Sequence, residues 1–196
     1  MIKVIVFDAG GVMLITESYV KYLKRTLALD DARLAKLKRL YIRAERGEMG
    51  SKKLERELER ALGVGSSGLE WPEMVRRDTK VDINVRRLVI RLAKRYKVAL
   101  LTNMVKDRYI WLVRQSIIER ELFDYIFVSS YMRMSKPSRS IYISVLERLG
   151  AAPEEVVFID NRIENVDAAR ALNINALHYT GYAQLEHDLR KLGVKW

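Results

Sequence analysis

Asp8 is the residue of this chain whose type and setting predict chemistry most directly. It follows an apolar run at residues 4–7 and precedes Ala9, Gly10 and Gly11. Such a run is typical of a strand buried on both faces of a parallel sheet, and these sheets bind ligands beyond the carboxyl ends of their strands. The paired glycines allow backbone N–H groups to come close to an anion. Alternatively, Asp8 only begins a turn.

Polar residues follow three further apolar runs, at residues 98–101, 125–128 and 156–159. They are Thr102 and Asn103 after the first, Ser135, Lys136 and Pro137 after the second, and Asp160, Asn161 and Asn165 after the third. Pro137 suits the first turn of a helix and would leave Lys136 at its mouth. Each residue alone has an ordinary explanation as a cap, a surface lysine or a turn former. Together with Asp8 they would place two carboxylates, a hydroxyl and an ammonium around one crevice, which turn chemistry does not explain.

The elements that must position these residues form a βα pattern. After residue 97 the strands alternate with amphipathic helices near residues 107–119, 138–149, 166–172 and 183–192, and a last strand is expected at 176–179. This alternation predicts an α/β fold with a doubly wound parallel sheet, which the strand at residues 3–7 completes. We assign residues 1–14 and 82–196 to this core.

The intervening segment, residues 15–81, has helical periodicity and no convincing strand. One helix is predicted at residues 31–45 and, after a glycine-containing turn, a second that Ser51 caps and Gly63 ends. An all-helical insertion that follows the first strand must lie above the carboxyl end of that strand. We therefore expect this cap to cover the crevice that holds Asp8. The aromatic residues in the cap that could meet a substrate are Tyr19, Tyr22 and Trp71.

Length and composition restrict the class of protein. At 196 residues, of which 49% are hydrophobic, the chain can bury one well-packed core plus a modest appendage. It has no cysteine, which excludes disulfides and thiolate metal sites. There is no signal-peptide pattern and no apolar run of membrane-spanning length, so we expect a soluble, cytoplasmic protein without membrane association. The 31% of charged residues is typical of a heat-adapted, thermophilic source.

The formal net charge of +11 raises the question of nucleic-acid binding. Basic residues crowd positions 21–60, but five glutamates alternate with them: Glu45, Glu48, Glu55, Glu57 and Glu59. This pattern is typical of a solvated, ion-paired helix face, and no stacking-aromatic or recognition-helix motif accompanies it. We therefore do not expect nucleic acid as the principal ligand. A positive field would also attract a small phosphorylated substrate.

Taken in order, the motifs resemble those of the haloacid dehalogenase superfamily over nearly the whole chain. They are FDAGGV with Asp8, LLTN with Thr102, SKP with Lys136 and FIDNRIEN with Asp160. The helical insertion is similar to the small cap of this family. Within the family, the FD-x-GG-V and FID-x-x-x-x-N patterns look most like phosphatases related to the epoxide hydrolase amino-terminal domain and to sugar 1-phosphate phosphatases.

The resemblance implies a role for each matched residue. Asp8 would be the nucleophile that attacks phosphorus and forms an aspartyl phosphate, with Thr102 and Lys136 as further catalytic residues. The substrate phosphate would contact Gly10, Gly11, Thr102, Asn103 and Lys136. The cofactor Mg²⁺ would be held by oxygen atoms of Asp8, the Gly10 backbone, Asp160 and Asn161. The cation would let the Asp8 carboxylate and the substrate phosphate, both anions, approach each other. The cap would exclude water and select the substrate.

Two residues depart from the family pattern. A second Asp usually lies two residues after the nucleophile and acts as general acid and base, but this chain has Gly10 there. Its loss would restrict turnover to esters whose oxygen departs easily, such as aryl, acyl or anomeric sugar phosphates, unless the cap or a water molecule supplies the proton. The second acid of the metal motif is replaced by Asn161, a neutral ligand that should weaken Mg²⁺ binding.

We therefore predict a Mg²⁺-dependent phosphohydrolase for a small phosphorylated metabolite, as a monomer or a homodimer. Gly10 and Asn161 leave open a catalytically weakened binding or regulatory protein on the same fold. Metal-independent carbon–halogen hydrolysis is the second alternative, because there an Asp attacks carbon and the second Asp is also absent. Measurable Mg²⁺-dependent turnover would exclude the first alternative, and halide release without Mg²⁺ would establish the second.

Overall fold

A computed structural model describes residues 1–16, 29–63 and 79–196 of the protein. These ranges contain seven strands. They are β1 (Val4–Phe7), β2 (Leu14–Ile15), β3 (Lys80–Val81), β4 (Lys97–Thr102), β5 (Tyr125–Val128), β6 (Val156–Asp160) and β7 (Asn175–His178). Five of them form a parallel sheet in the order β5-β4-β1-β6-β7. The strand order changes direction at the central strand β1. The predicted doubly wound α/β core is therefore confirmed, and β1 lies at the topological switch point where such sheets bind ligands.

Helices cover both faces of this sheet. The helices are α1 (Asp31–Glu45), α2 (Ser51–Leu62), α3 (Ile83–Leu92), α4 (Lys106–Arg114), α5 (Ser129–Met132), α6 (Arg139–Leu149), α7 (Ile163–Arg170) and α8 (Tyr182–Lys191). Helices α3, α4 and α8 pack on one face, against Ile5 and Phe7 of β1. Helices α6 and α7 pack on the other face, against Val4 and Val6. Burial of β1 on both faces explains why its residues are all apolar instead of alternating.

Several core helices begin or end elsewhere than the sequence predicts. Helix α7 runs from Ile163 to Arg170 instead of from residue 166 to 172. Two other differences have local backbone reasons. Helix α4 ends at Arg114 instead of near residue 119, because Ser116 has a φ of 54° and leaves the helical conformation. Helix α6 begins at Arg139 after the N-cap Ser138, so Pro137 precedes the helix instead of entering its first turn. Within the described ranges, no helix combines the length and the apolar character that crossing a bilayer requires.

The prediction of no strand between residues 15 and 81 was wrong at the two ends of that segment. Strand β2 pairs antiparallel with β3, which brings Leu14 beside Val81. Strands of two residues are too short to show the alternating pattern by which a strand is recognised. The inserted chain therefore leaves and rejoins the core at one place. The division of the chain at 14–15 and 81–82 stays a prediction. The cap residues Tyr19, Tyr22 and Trp71 lie outside the described residues.

Helices α1 and α2 form a pair that packs on the core. Helix α1 has the predicted bounds, and Asp30 caps it by accepting a hydrogen bond from Arg33 N at 2.7 Å. Helix α2 is preceded by Gly50 as N-cap, so Ser51 is its first helical residue and not the predicted cap. Its end at Gly63, with a φ of 69°, is as predicted.

The turn between α1 and α2 contacts the core directly. Gly47 has a φ of 68°, and a Cβ atom on it would lie only 2.2 Å from the carbonyl oxygen of Ser130 in α5. Val105, which follows β4, packs in the same apolar cluster as Leu37 and Leu54 of the two helices. The helix pair therefore lies at the carboxyl ends of β4 and β5, as expected for a cap over the crevice.

Candidate active site

Four of the predicted site residues meet beyond the carboxyl end of the sheet. Asp8 follows β1, Thr102 ends β4, Lys136 follows α5, and Asp160 ends β6. All four are buried. The carboxyl ends of neighbouring parallel strands lie at the same edge of a sheet, and this brings together residues from nearly the whole length of the chain.

The ammonium of Lys136 lies between the two carboxylates. Its Nζ atom donates to Asp8 Oδ1 at 2.6 Å, to Asp160 Oδ2 at 2.7 Å and to the Leu101 carbonyl oxygen at 2.9 Å. These bonds use all the N–H groups of the ammonium, and the side chain is only 1% exposed. One ammonium cannot neutralise two carboxylates. The cluster therefore has an excess negative charge in a buried setting, where such charge is costly.

Burial and the neighbouring charges together shift the pKa values in the cluster. Burial raises the pKa of Asp8 to about 6, with Lys136 lowering it and Asp160 raising it. Burial also disfavours the charged form of Lys136, but the attraction of Asp8 and Asp160 outweighs it and leaves the pKa of the lysine raised. At neutral pH Lys136 is therefore a fixed cation and Asp8 is mostly ionised, as a nucleophile must be.

Asn103 holds the backbone of Lys136 by two hydrogen bonds. Its Oδ1 atom accepts from Lys136 N at 2.9 Å, and its Nδ2 atom donates to Lys136 O at 2.8 Å. The amide of Asn103 was predicted to bind substrate phosphate. In the structure both of its polar atoms bond to the Lys136 backbone, so Asn103 positions the lysine whose ammonium contacts the carboxylates.

Asp160 is held in place by the first turn of α7. Asn165 Nδ2 donates to both carboxylate oxygens at 3.0 Å, and Arg162 N donates to Asp160 Oδ1 at 2.8 Å. Tyr142 of α6 donates to the carbonyl oxygen of Asn165 at 2.9 Å, which ties the turn to the core. The spacing of Asp160 and Asn165 thus serves to orient a buried carboxylate.

Gly11 and Asn161 are in close contact. Gly11 has a φ of 86°, and a Cβ atom there would lie 2.1 Å from Asn161 Nδ2. The N–H of Gly11 was expected to bind an anion, but it already donates to the Leu14 carbonyl oxygen at 2.8 Å. The glycine is required here for space and conformation, not as a hydrogen-bond donor. The Oδ1 atom of Asn161 is buried and has no hydrogen-bond partner within the described part of the chain.

The Gly10 carbonyl oxygen and the Thr102 hydroxyl are available to a ligand. No atom of the described residues lies within 4 Å of where a Cβ of Gly10 would be, so the space above this glycine is open. No described group forms a hydrogen bond with the Gly10 carbonyl oxygen or with the hydroxyl of Thr102, although Thr102 is only 1% exposed. Neither oxygen has a described hydrogen-bond partner, so both are available to a bound molecule.

The oxygen atoms around Asp8 fit a hard divalent cation. Within the described residues, no group of three or more His, Cys, Asp or Glu side chains could hold a metal by itself. The available donors are the carboxylates of Asp8 and Asp160, the Gly10 carbonyl and Asn161 Oδ1. All are oxygen, as Mg²⁺ prefers, and the unpaired oxygen of Asn161 together with the excess negative charge is what a cation would satisfy.

The carboxyl end of α1 is joined to the same crevice. The carbonyl oxygen of Glu45 accepts from Ser129 Oγ at 2.5 Å, and Ser129 Oγ accepts from Met104 N at 3.0 Å. Next along the chain, Arg46 Nε donates to Ser135 Oγ at 2.9 Å, beside Lys136. These bonds hold the end of the cap helix against the loops that follow β4 and β5.

Sequence reasoning missed the charged residues that the cap and core contribute here. Glu45 was interpreted as part of a solvated, ion-paired helix face, but its carboxylate interacts electrostatically with Arg162, Lys136, Arg108 and Asp8. The available signal was the position of Glu45 directly after the buried Ala44 and two residues before the turn glycine. That signal does not show whether Glu45 faces the core or solvent, because this depends on how the cap packs on the core.

Residues 2–173 match the family model of haloacid dehalogenase-like hydrolases. A sesquiterpene phosphatase of Aspergillus oryzae is 27% identical over 195 residues, which are 97% of this chain and 96% of that protein. A phosphorylated carbohydrates phosphatase of Thermotoga maritima is 31% identical over 86 residues, which are 44% of this chain and 39% of that protein.

Solved structures share the fold. A haloacid dehalogenase family enzyme of Bacteroides thetaiotaomicron, in complex with magnesium and inorganic phosphate, aligns with a TM-score of 0.77 and 21% identity over 94% of this chain and 99% of that one. A 2-haloacid dehalogenase of Pseudomonas syringae aligns with a TM-score of 0.65 and 16% identity over 97% and 99%. These likenesses concern the fold, and the chemistry of this chain depends on its site.

Proposed function

This chain belongs to the haloacid dehalogenase-like hydrolases, and we propose that it is a Mg²⁺-dependent phosphatase that acts through an aspartyl phosphate on Asp8. Phosphatases are among its relatives, one of them over nearly the full length of both chains. The substrate we propose is a small phosphorylated metabolite, because the relatives include phosphatases named for a sesquiterpene and for carbohydrates.

The observation that carries this proposal is the excess negative charge around Asp8. Two buried carboxylates share a single ammonium, and the carboxamide oxygen of Asn161 beside them has no partner in the described chain. A phosphate ester would bring two further negative charges to this place. Such a site needs a divalent cation for phosphoryl transfer, whereas attack on a carbon–halogen bond needs none.

The residues at the crevice supply most of what attack on phosphorus requires. Asp8 supplies the attacking carboxylate oxygen, and Lys136 orients that carboxylate while neutralising part of its charge. The hydroxyl of Thr102 donates to a phosphoryl oxygen. Mg²⁺ would be held by Asp8, the Gly10 carbonyl, Asp160 and Asn161, and would supply the positive charge that lets the carboxylate and the phosphate approach each other.

The cap completes the site from above. Helix α1 is joined to the loops after β4 and β5 by the hydrogen bonds of Glu45 and Arg46. A helix in this position excludes water from the reacting groups and contacts the part of the substrate that differs between metabolites. The cap is therefore the element that selects the substrate.

A screen of phosphate esters, with and without Mg²⁺, tests the proposal. We expect inorganic phosphate release that needs Mg²⁺ and stops with a chelator, and no halide release from 2-haloacids under either condition. Halide release without metal would replace the proposal by carbon–halogen hydrolysis. Mg²⁺-dependent binding of phosphate esters without any turnover would instead indicate a binding or regulatory protein on this fold.

A further inference from the structure

Among the described core residues beside Asp8, none is an obvious proton donor for the phosphatase reaction. Gly10 occupies the position two residues after Asp8, and no described atom lies within 4 Å of where its Cβ would be. Lys136 cannot serve, since its three N–H groups are all engaged and its pKa is raised by the attraction of Asp8 and Asp160. A leaving alkoxide needs a proton from another group, and that group must reach the open space above Gly10.

Within the described part of the cap, Glu45 is an acidic residue that lies at this crevice. Its backbone is fixed there, because its carbonyl oxygen accepts from Ser129 Oγ at 2.5 Å and the next residue, Arg46, donates to Ser135 Oγ at 2.9 Å. Ser129 is the first residue of α5, directly after β5, and Ser135 follows α5 and precedes Lys136. The end of α1 is thereby held at the mouth of the site and not at a distant part of the cap.

The carboxylate of Glu45 interacts electrostatically with charged groups of several elements around it. Those groups are Arg162 at the start of α7, Lys136 after α5, Arg108 on α4 and Asp8 after β1, with Tyr41 one turn earlier on α1. Burial raises the pKa of Glu45 to about 7, and Asp8 adds to the rise while the three cations oppose it. A carboxyl group with this pKa exists in both forms near neutrality, as proton transfer in two directions requires.

Building on the proposed function, we propose that Glu45 is the general acid and base of the reaction, in place of the carboxylate absent at Gly10. In the first step an Asp8 oxygen bonds to phosphorus and the bond from phosphorus to the leaving oxygen breaks. Protonated Glu45 gives its proton to that oxygen, so an alcohol departs and Glu45 becomes a carboxylate. The aspartyl phosphate remains on Asp8.

In the second step Glu45 acts as the base. Its carboxylate takes a proton from a water molecule as the water oxygen bonds to phosphorus. The bond between phosphorus and the Asp8 oxygen breaks, which releases inorganic phosphate and restores the Asp8 carboxylate and protonated Glu45. A single carboxyl group on the cap therefore serves both half-reactions, and no other proton donor is needed.

The test compares Glu45→Gln with Glu48→Gln on one alkyl and one p-nitrophenyl phosphate ester. Glu48 lies three residues further on, is exposed and, among the described residues, pairs with Arg43, so it is the matched control. For Glu45→Gln we expect kcat/KM on the alkyl ester to fall about 100-fold or more. On p-nitrophenyl phosphate, whose leaving group needs no proton, kcat/KM should change less than about 5-fold, which also shows that the variant is folded. Glu48→Gln should match the wild type on both esters.

The second half-reaction provides a separate readout. Without a base to activate water, Glu45→Gln should release about one equivalent of p-nitrophenolate in a burst and then turn over slowly. In wild type, kcat/KM on the alkyl ester should decline above about pH 7 as Glu45 loses its proton, and this limb should be absent from the variant. When Gly10→Asp is added to Glu45→Gln, kcat/KM on the alkyl ester should rise at least about 10-fold over Glu45→Gln alone. This is part of the usual contribution of general acid–base catalysis.

The outcomes separate this inference from the proposed function. Equal losses of kcat/KM on both esters would mean that Glu45 acts through position or stability, and unchanged alkyl activity would mean that it takes no part; either result overturns the inference while phosphatase activity stands. If wild type hydrolyses neither ester with Mg²⁺, the proposed function itself fails.

Discussion

Gly11 and Asn161 are packed so closely that position 11 can only be glycine. A Cβ atom would lie 2.1 Å from Asn161 Nδ2, and the backbone φ of 86° is one that other residues rarely adopt. The contact joins the loop after β1 to the loop after β6. The carboxamide oxygen of Asn161, the residue after Asp160, is buried and has no hydrogen-bond partner in the described chain.

We expect Gly11→Ala to weaken both the loop and the metal site. The positive φ and the collision with Asn161 should cost roughly 1–3 kcal/mol of unfolding free energy and displace the amide oxygen. Chemical denaturation and a Mg²⁺ activation curve measure the two effects. Gly10→Ala is the control for stability, since no described atom lies within 4 Å of its Cβ position. Equal stabilities of the two variants would contradict this packing argument.

Asp8→Asn should abolish turnover and leave the fold intact. A carboxamide is too poor a nucleophile to form the phosphorylated intermediate, so we expect a loss on the order of 10⁴-fold or more. Lys136 keeps its bonds to Asp160 and the Leu101 carbonyl, so circular dichroism should be unchanged. Substantial phosphatase activity in the folded variant would rule out Asp8 as the nucleophile.

Asn161→Asp should lower the Mg²⁺ concentration that gives half-maximal activity. The substitution keeps the size of the side chain and adds a negative charge beside the cation, which strengthens their attraction. Activation curves after removal of bound metal with a chelator measure the shift. Identical curves for the two proteins would show that Asn161 does not coordinate the metal.

Asn103→Ala should impair catalysis more than its effect on stability explains. The variant loses two hydrogen bonds that hold the Lys136 backbone, which should cost about 1–3 kcal/mol and misplace the ammonium. Asn175→Ala is a matched control, because its side chain also makes two hydrogen bonds to backbone, at Glu154 and Val156, away from the site. We expect similar losses of stability but a loss of kcat only in the first variant. A normal kcat in Asn103→Ala would contradict the role of Asn103 in positioning Lys136.

The pair formed by Arg86 and Glu119 should make stability depend on pH. Hydrogen bonds from Arg86, at 2.5 and 2.6 Å, lower the pKa of Glu119. A lowered pKa means that the pair stabilises the fold fully above the ordinary glutamate range and loses this contribution as pH falls through the lowered value. Glu119→Gln should therefore reduce the Tm slightly at pH 7 and less at pH 3. The effect is small because both side chains are about a third exposed. A Tm difference independent of pH would exclude this origin.

Local sequence patterns were sufficient to predict most of the core. The strand at 125–128 and the helix at 31–45 have the predicted bounds, because apolar runs and helical periodicity are properties of neighbouring residues. The ribbon formed by Leu14–Ile15 and Lys80–Val81 was not predictable in this way. Its pairing joins residues far apart in the chain, and strands of two residues are too short to show the alternation of apolar and polar residues.

Residue type and order along the chain also predicted that Asp8, Thr102, Lys136 and Asp160 come together, because the carboxyl ends of neighbouring parallel strands must lie at one edge. The contacts among these residues depended on tertiary structure. Only the packed chain shows that the Gly11 N–H is already used, that Asn103 holds Lys136, and that Glu45 lies over the crevice instead of in solvent. A pattern of residue types constrains which side chains can meet near a strand end. The direction of each polar group, and hence its proton affinity, is decided by the neighbours that burial brings against it.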